Sequence, residues 1–243
     1  MTPDALTERF KAICGTRLQS VILYGSAVAG DHLGKRSDHN VLVVLDRLDL
    51  EEIRALAPVV RLWVKAGNLV PLLFTPKSLA TASAVFPLEI ADIKDNHRVL
   101  FGTDVVAPLA VHAANLRLEL EHELNGKLVK LRAQYLLVQG NPRQVTELMV
   151  RSLSTVLVLC RGALRLYQPQ VPARKLEAVA ALARHVPVQT HVFETISQWK
   201  AGQKVPRVVP DALFAEYLRA VESIVEAVDA LLHPRHSQGG QQP

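Results

Sequence analysis

Two short apolar runs constrain the first half of this chain more than any other feature. VILY ends at Gly25-Ser26, and VLVVL begins just after Asp38-His39-Asn40. Both are too short for a buried helix, rich in β-branched residues and bounded by turn signals, so each predicts a buried strand. Helical patterns surround them. TPDALTERFKAI has Thr2 as N-cap, Pro3 at the first helical position and apolar residues at helical spacing. DLEEIRALAPVVRLWVKAG runs from an Asp49 cap to a Gly67 stop, with Pro58 expected to kink or divide the helix. NLVPLLFT is a third apolar run, PKSLATASA predicts a short helix from Pro76, and FPLEIADI and HRVLFG predict two further extended segments. Helices alternating with buried strands imply a layered α/β domain.

From about Ala107 the pattern becomes helical only. Leu116, Leu120, Leu124, Leu128, Leu131 and Tyr135 form one helical stripe, and Gly140-Asn141-Pro142 ends it. RQVTELMVRSLSTVLVLCRGALRLY is apolar on most faces through its middle, which predicts a central buried helix. ARKLEAVAALARHV, HVFETISQWKAG and DALFAEYLRAVESIVEAVDALL complete a bundle. The expected organisation is an α/β domain over 1–106, a helical bundle over 107–232, and a disordered tail over 233–243, which lacks core-forming residues.

Hydrophobic content of 49% and charged content of 21% are those of an ordinary globular chain. No apolar run reaches the roughly 18 residues of a membrane span, and the N-terminus lacks a signal-peptide pattern. Cys14 and Cys160 lie far apart among apolar neighbours, which predicts two buried thiols rather than a disulfide or a metal site. These features together predict a cytoplasmic protein without a membrane partner. Charge is balanced over the first 112 residues, and the whole +5 excess falls in the second half. That excess permits a phosphate-bearing partner, but no interleaved aromatic–basic platform supports a nucleic-acid interface. Lys127, Lys130, Arg132 and Arg151 are expected to form a basic flank beside a cleft between the two domains. No HExxH, Walker A, GxGxxG or GxSxG motif is present. His112 and His122 are expected to face solvent, His32 to flank the candidate site within possible reach of a phosphate, and Trp63 and Trp199 to pack in cores.

Side chains alternate along a strand, so Asp38 and Asn40 are expected to share a face, with His39 on the other. Two oxygen-bearing groups at that spacing can share one hard cation. Gly25 allows a tight turn and close backbone approach to a phosphate, and Ser26 adds a hydroxyl. Lys35 and Arg36 precede Asp38 and add positive charge for a triphosphate.

Gly25-Ser26, eleven intervening residues, then Asp38-His39-Asn40 on a valine-rich strand resembles the signature of the nucleotidyltransferase superfamily. That superfamily includes DNA polymerase beta and the aminoglycoside adenylyltransferases. The resemblance covers roughly residues 18–105. It implies an α/β (α+β) mixed sheet followed by an all-α helical bundle, an NTP as partner, and Mg²⁺ as cofactor. By resemblance, Asp38 and Asn40 are the metal ligands and Gly25, Ser26, Lys35 and Arg36 hold the nucleotide. The implied reaction is transfer of a nucleoside monophosphate to a hydroxyl acceptor, which the sequence does not identify.

Two departures weaken the implied chemistry. Asn40 stands where the signature has a second acid, and NLVPLLFT, the strand that should carry a third, has none. Read as a strand, FPLEIADI places Glu89 and Ile93 on one face and Asp92 on the other, making Glu89 the candidate third carboxylate. The catalytic set expected is therefore Asp38, Asn40 and Glu89, with activity weak or lost. The alternative is a non-catalytic protein of this fold that binds a nucleotide or a partner.

Overall fold

In the computed structural model of the chain, residues 1–29 and 39–231 are described. The chain divides into two compact units, Met1–Asn115 and Leu116–Pro243.

The first unit opens with α1 (Pro3–Cys14), whose first turn is capped by the Thr2 hydroxyl accepting from the Ala5 amide at 3.2 Å. Leu6, Phe10 and Cys14 recur every four residues and bury one stripe. β1 (Leu18–Tyr24) and β2 (Asn40–Leu45) pair antiparallel, with Tyr24 opposite Asn40. α3 (Leu50–Lys65) is capped by Asp49, and β3 (Leu72–Phe74) then runs parallel to β2. After α4 (Pro76–Val85) and α5 (Pro87–Asp95), β4 (His97–Gly102) pairs antiparallel with β1. Sheet order is β3-β2-β1-β4, a mixed sheet.

Burial follows strand alternation on both faces. Val21, Leu23, Val41 and Val43 pack with Leu6, Phe10, Leu56 and Trp63 of α1 and α3. Ile22, Leu42 and Val44 pack with Leu79, Ile90 and Ile93 of α4 and α5. Helices on both faces explain why the two strands read as continuous apolar runs.

Two expectations are corrected. FPLEIADI is not extended, because Pro87 opens α5 and buries Pro87, Ile90 and Ala91 at helical spacing. Its short apolar–polar alternation fits either period, and burial against the sheet selects the helix. Glu89 is thus exposed on a helix while Ile93 is buried, so they do not share a strand face. Pro58 does not divide α3, which continues from Leu50 to Lys65. Burial of Leu56, Val59 and Trp63 holds both halves to the same sheet face and offsets the lost hydrogen bond.

A buried carboxylate ties α1, the β2–α3 turn and α3 together. Glu52 is 2% exposed, and its Oε1 forms an ion pair with Arg17 at 2.8 Å and accepts from Arg47 Nε and Nη2 at 3.2 Å. Arg17 also donates to the carbonyls of Ile13 and Cys14 at the end of α1. Removing an arginine leaves the carboxylate buried, whereas removing the acid leaves cations that reach water. Arg17→Ala is therefore expected to cost about 2 kcal/mol and Glu52→Gln about half that. Urea unfolding of both variants measures the difference, and the reverse order would contradict it.

Among its described residues the second unit has helices and connecting turns and no strand. α6 (Ala113–Val138) buries Leu116, Leu120, Leu124, Leu128 and Leu131, and Tyr135 is half-buried. The Tyr135 ring stacks on Phe214 at 4.3 Å and its hydroxyl donates to Asp211 at 2.7 Å. α7 (Pro142–Leu164) is buried on most faces from Leu153 onward, and α8 (Lys175–Leu182), α9 (Thr190–Lys200) and α10 (Pro210–Ala230) pack against it. Cys14 and Cys160 are buried free thiols. Burial pushes the Cys160 thiol up to about 12, so it stays protonated and inert. Trp63 is fully buried and Trp199 partly buried.

Candidate functional site

The end of β1 brings together residues that are remote in sequence. β1 places Tyr24 opposite both Asn40 of β2 and His97 of β4. Directly opposed residues on antiparallel strands project to the same side, so these three side chains line one edge of one sheet face. Gly25 follows at φ +82°. Its amide donates to the Asn96 carbonyl at 2.9 Å, its carbonyl accepts from Val28, and Ser26 opens the one-turn helix α2 (Ser26–Ala29).

Asn40 sits directly over this turn. A Cβ added to Gly25 would lie 2.9 Å from Asn40 Nδ2. Only a glycine allows both the positive φ and this closeness. Gly25→Ala is therefore expected to cost about 1 kcal/mol of stability and to push the Asn40 amide aside. Urea unfolding reads the first effect and ATP titration the second, and an unchanged nucleotide affinity would count against Asn40's role.

The electrostatics of this edge have two parts. Burial, and secondarily the charge of Glu89, push the Tyr24 phenol up to about 12, so it is a hydrogen-bond donor at neutral pH. Glu89 on α5 thus lies within electrostatic reach of the residue preceding the turn, although not by the strand route expected. The His97 ring bonds the Lys94 carbonyl through Nδ1 at 3.0 Å and Asp104 Oδ2 through Nε2 at 2.9 Å. Asp104 also accepts from the amides of Val106 and Ala107. Burial opposes ionisation of Asp104, but these amides and the His97 ring outweigh it and hold the carboxyl below its ordinary range.

His39 takes the opposite face from Asn40, as strand alternation requires. Its ring stacks on Trp63 at 6.1 Å, and its amide donates to Asn68 Oδ1 at 3.2 Å. Asn68 Nδ2 in turn donates to the Trp63 carbonyl at 3.3 Å. This link ties the start of β2 to the end of α3.

Asp38, Lys35, Arg36 and His32 lie outside the described residues, as does the Ser26 side chain. Among the described residues, no group of three His, Cys, Asp or Glu side chains could hold a metal. β3, beside β2, carries no acid. His122 is exposed on α6, and His112, also exposed, lies just before it. Tyr24 and His97 were not singled out from the sequence. Tyr24 was findable, since it directly precedes the Gly25 turn. His97 was not, because its pairing with β1 spans more than seventy residues.

No protein-family model matches the chain, and no curated protein does. Among solved structures it is similar to the spectinomycin adenyltransferase AAD(9) from Enterococcus faecialis, solved with ATP and spectinomycin. Identity is 11% and the TM-score 0.58, over 93% of this chain and 98% of that one. The chain has the nucleotidyltransferase fold. At this identity the likeness concerns the fold and not the chemistry. Within that fold, the glycine turn at the end of β1 and the motif strand beside it are the elements described above. Among the described residues, no helix is long and apolar enough to cross a membrane.

Proposed function

We propose that this chain is a nucleotidyltransferase-like protein that binds an NTP weakly with Mg²⁺ and transfers its nucleoside monophosphate to a hydroxyl acceptor at a depressed rate. The observation that carries the reading is Asn40 lying over the Gly25 turn at the end of paired strands β1 and β2. In this reading Gly25, Ser26, Lys35 and Arg36 orient the triphosphate. Asp38 and the Asn40 side-chain oxygen would hold a Mg²⁺ that arrives with the nucleotide. The donors suit a hard cation, but one of them is neutral. The ion would neutralise charge on the phosphates. Glu89, whose charge reaches Tyr24, would accept the proton of the acceptor hydroxyl, and Tyr24 would donate a hydrogen bond at the same edge.

A second reading, a nucleotide-binding protein without catalysis, is favoured by the absence of any acid in β3. Calorimetric titration of ATP and GTP with and without Mg²⁺, together with pyrophosphate release, separates the two. Mg²⁺-dependent binding with slow release supports the first reading, and binding without release supports the second. No binding under either condition removes both.

A further inference from the structure

In the second unit, the α6–α7 hairpin borders an open groove of about 570 Å³. Its lining changes character along its length. Toward the hairpin turn the walls are Leu137, Val138 and Leu148. The Gln144 amide also lies at the turn end, and farther along are Lys127, Arg151 and the Ser152 hydroxyl, with the Gln134 amide between. The one acidic liner, Glu147, is already engaged by Arg143 at 3.2 Å and Arg151 at 3.7 Å. No carboxylate forms an ion pair with Lys127 among the described residues, though Glu123 lies close enough to favour its charge.

The volume is that of a small-molecule site, and three apolar side chains beside a larger set of polar and charged ones suit a polar organic ligand with an apolar part. The cations set its sign. We propose that this groove binds a small organic anion, a phosphate ester or carboxylate with an apolar body, whose charged group lies on Lys127 with help from Arg151 and Ser152. The state of Lys127 agrees. Burial first, and the neighbouring Lys130 second, hold its ammonium below the usual lysine range. A partly desolvated cation that lacks an ion pair gains most from an arriving anion. This site does not depend on the nucleotide reading, since every liner lies in the second unit.

The test is calorimetric titration of the full chain at low ionic strength with phenyl phosphate, benzoate and the neutral benzyl alcohol. Phenyl phosphate and benzoate are expected to saturate one site with a dissociation constant of about 1 mM or below, while benzyl alcohol does not bind. Tighter binding of phenyl phosphate assigns a phosphate ester, and tighter benzoate a carboxylate. Lys127→Gln is expected to weaken the anion about five-fold, Arg151→Gln by less, and Lys130→Gln, outside the lining, by under about two-fold. Four results would overturn the site. They are no saturable binding at about 10 mM, equal binding of benzyl alcohol, an unchanged affinity in Lys127→Gln, and an equal loss in Lys130→Gln. The third also covers a probe that binds elsewhere on the protein.

Discussion

Replacing Asn40 by aspartate is expected to tighten Mg²⁺-dependent ATP binding about ten-fold or more, with little change in the absence of the ion. Asparagine keeps an oxygen but lacks the full negative charge that a divalent cation requires. Opposite unit charges about 4 Å apart at an effective dielectric near 20 attract by about 4 kcal/mol. Desolvating the new carboxylate offsets much of this, leaving about 1.4 kcal/mol or more, which is ten-fold in affinity. The backbone needs no change, because Asn40 and aspartate are the same shape and Asn40 already lies over the Gly25 turn. Asp38→Ala in the Asn40→Asp background should abolish the gain, since a single carboxylate would again remain. Strong Mg²⁺-dependent binding by the wild type, unmoved by Asn40→Asp, would mean that another acid already completes the site, with Glu89 the first to substitute. A gain that persists in Asp38→Ala would remove Asp38 from the metal set.

Gly102→Ala is expected to destabilise the first unit by about 2–4 kcal/mol. Gly102 ends β4 at φ +77°, where an L side chain is strained by about 1 kcal/mol. Space adds the larger part. An added Cβ would stand 1.9 Å from the Gln19 carbonyl oxygen and 3.1 Å from the Ser20 Cα, which are backbone atoms of the central strand and cannot swing away. The β1–β4 pairing would have to open at Ser20, where the hydroxyl also donates to the Thr103 carbonyl at 2.8 Å. Overpacking of this kind costs about 1–3 kcal/mol beyond the backbone strain. Gly140 supplies the control, with φ +78° and nothing within 4 Å of its added Cβ. Gly140→Ala should therefore show the strain alone. Urea unfolding of the two variants measures the difference, and equal losses would show that β4 does not approach Gln19 so closely.

Local signals located most of the elements. The Thr2 and Asp49 caps, the leucine stripe from Leu116 and the paired apolar runs around Gly25 and Asn40 each declare their state through nearest neighbours along the chain. Strand periodicity alone put His39 opposite Asn40, and the stacking of His39 on Trp63 agrees. The candidate motif was legible for the same reason, since the turn and Asp38-His39-Asn40 form one contiguous stretch of sequence. FPLEIADI was not legible. Its alternation over eight residues fits a strand and a helix alike, and only the sheet surface that Ile90 and Ile93 cover chooses the helix. The edge around Tyr24 depends on tertiary structure more deeply. The charge of Glu89 acts on Tyr24, and His97 lines up beside it, because β4 returns antiparallel to β1 and α5 packs across that face. Sequence determines which segments can be strands and which residues can bind oxygen or phosphate, because those properties are local. Which of those residues meet is a matter of long-range strand pairing and helix packing, in which many distant side chains are buried at once.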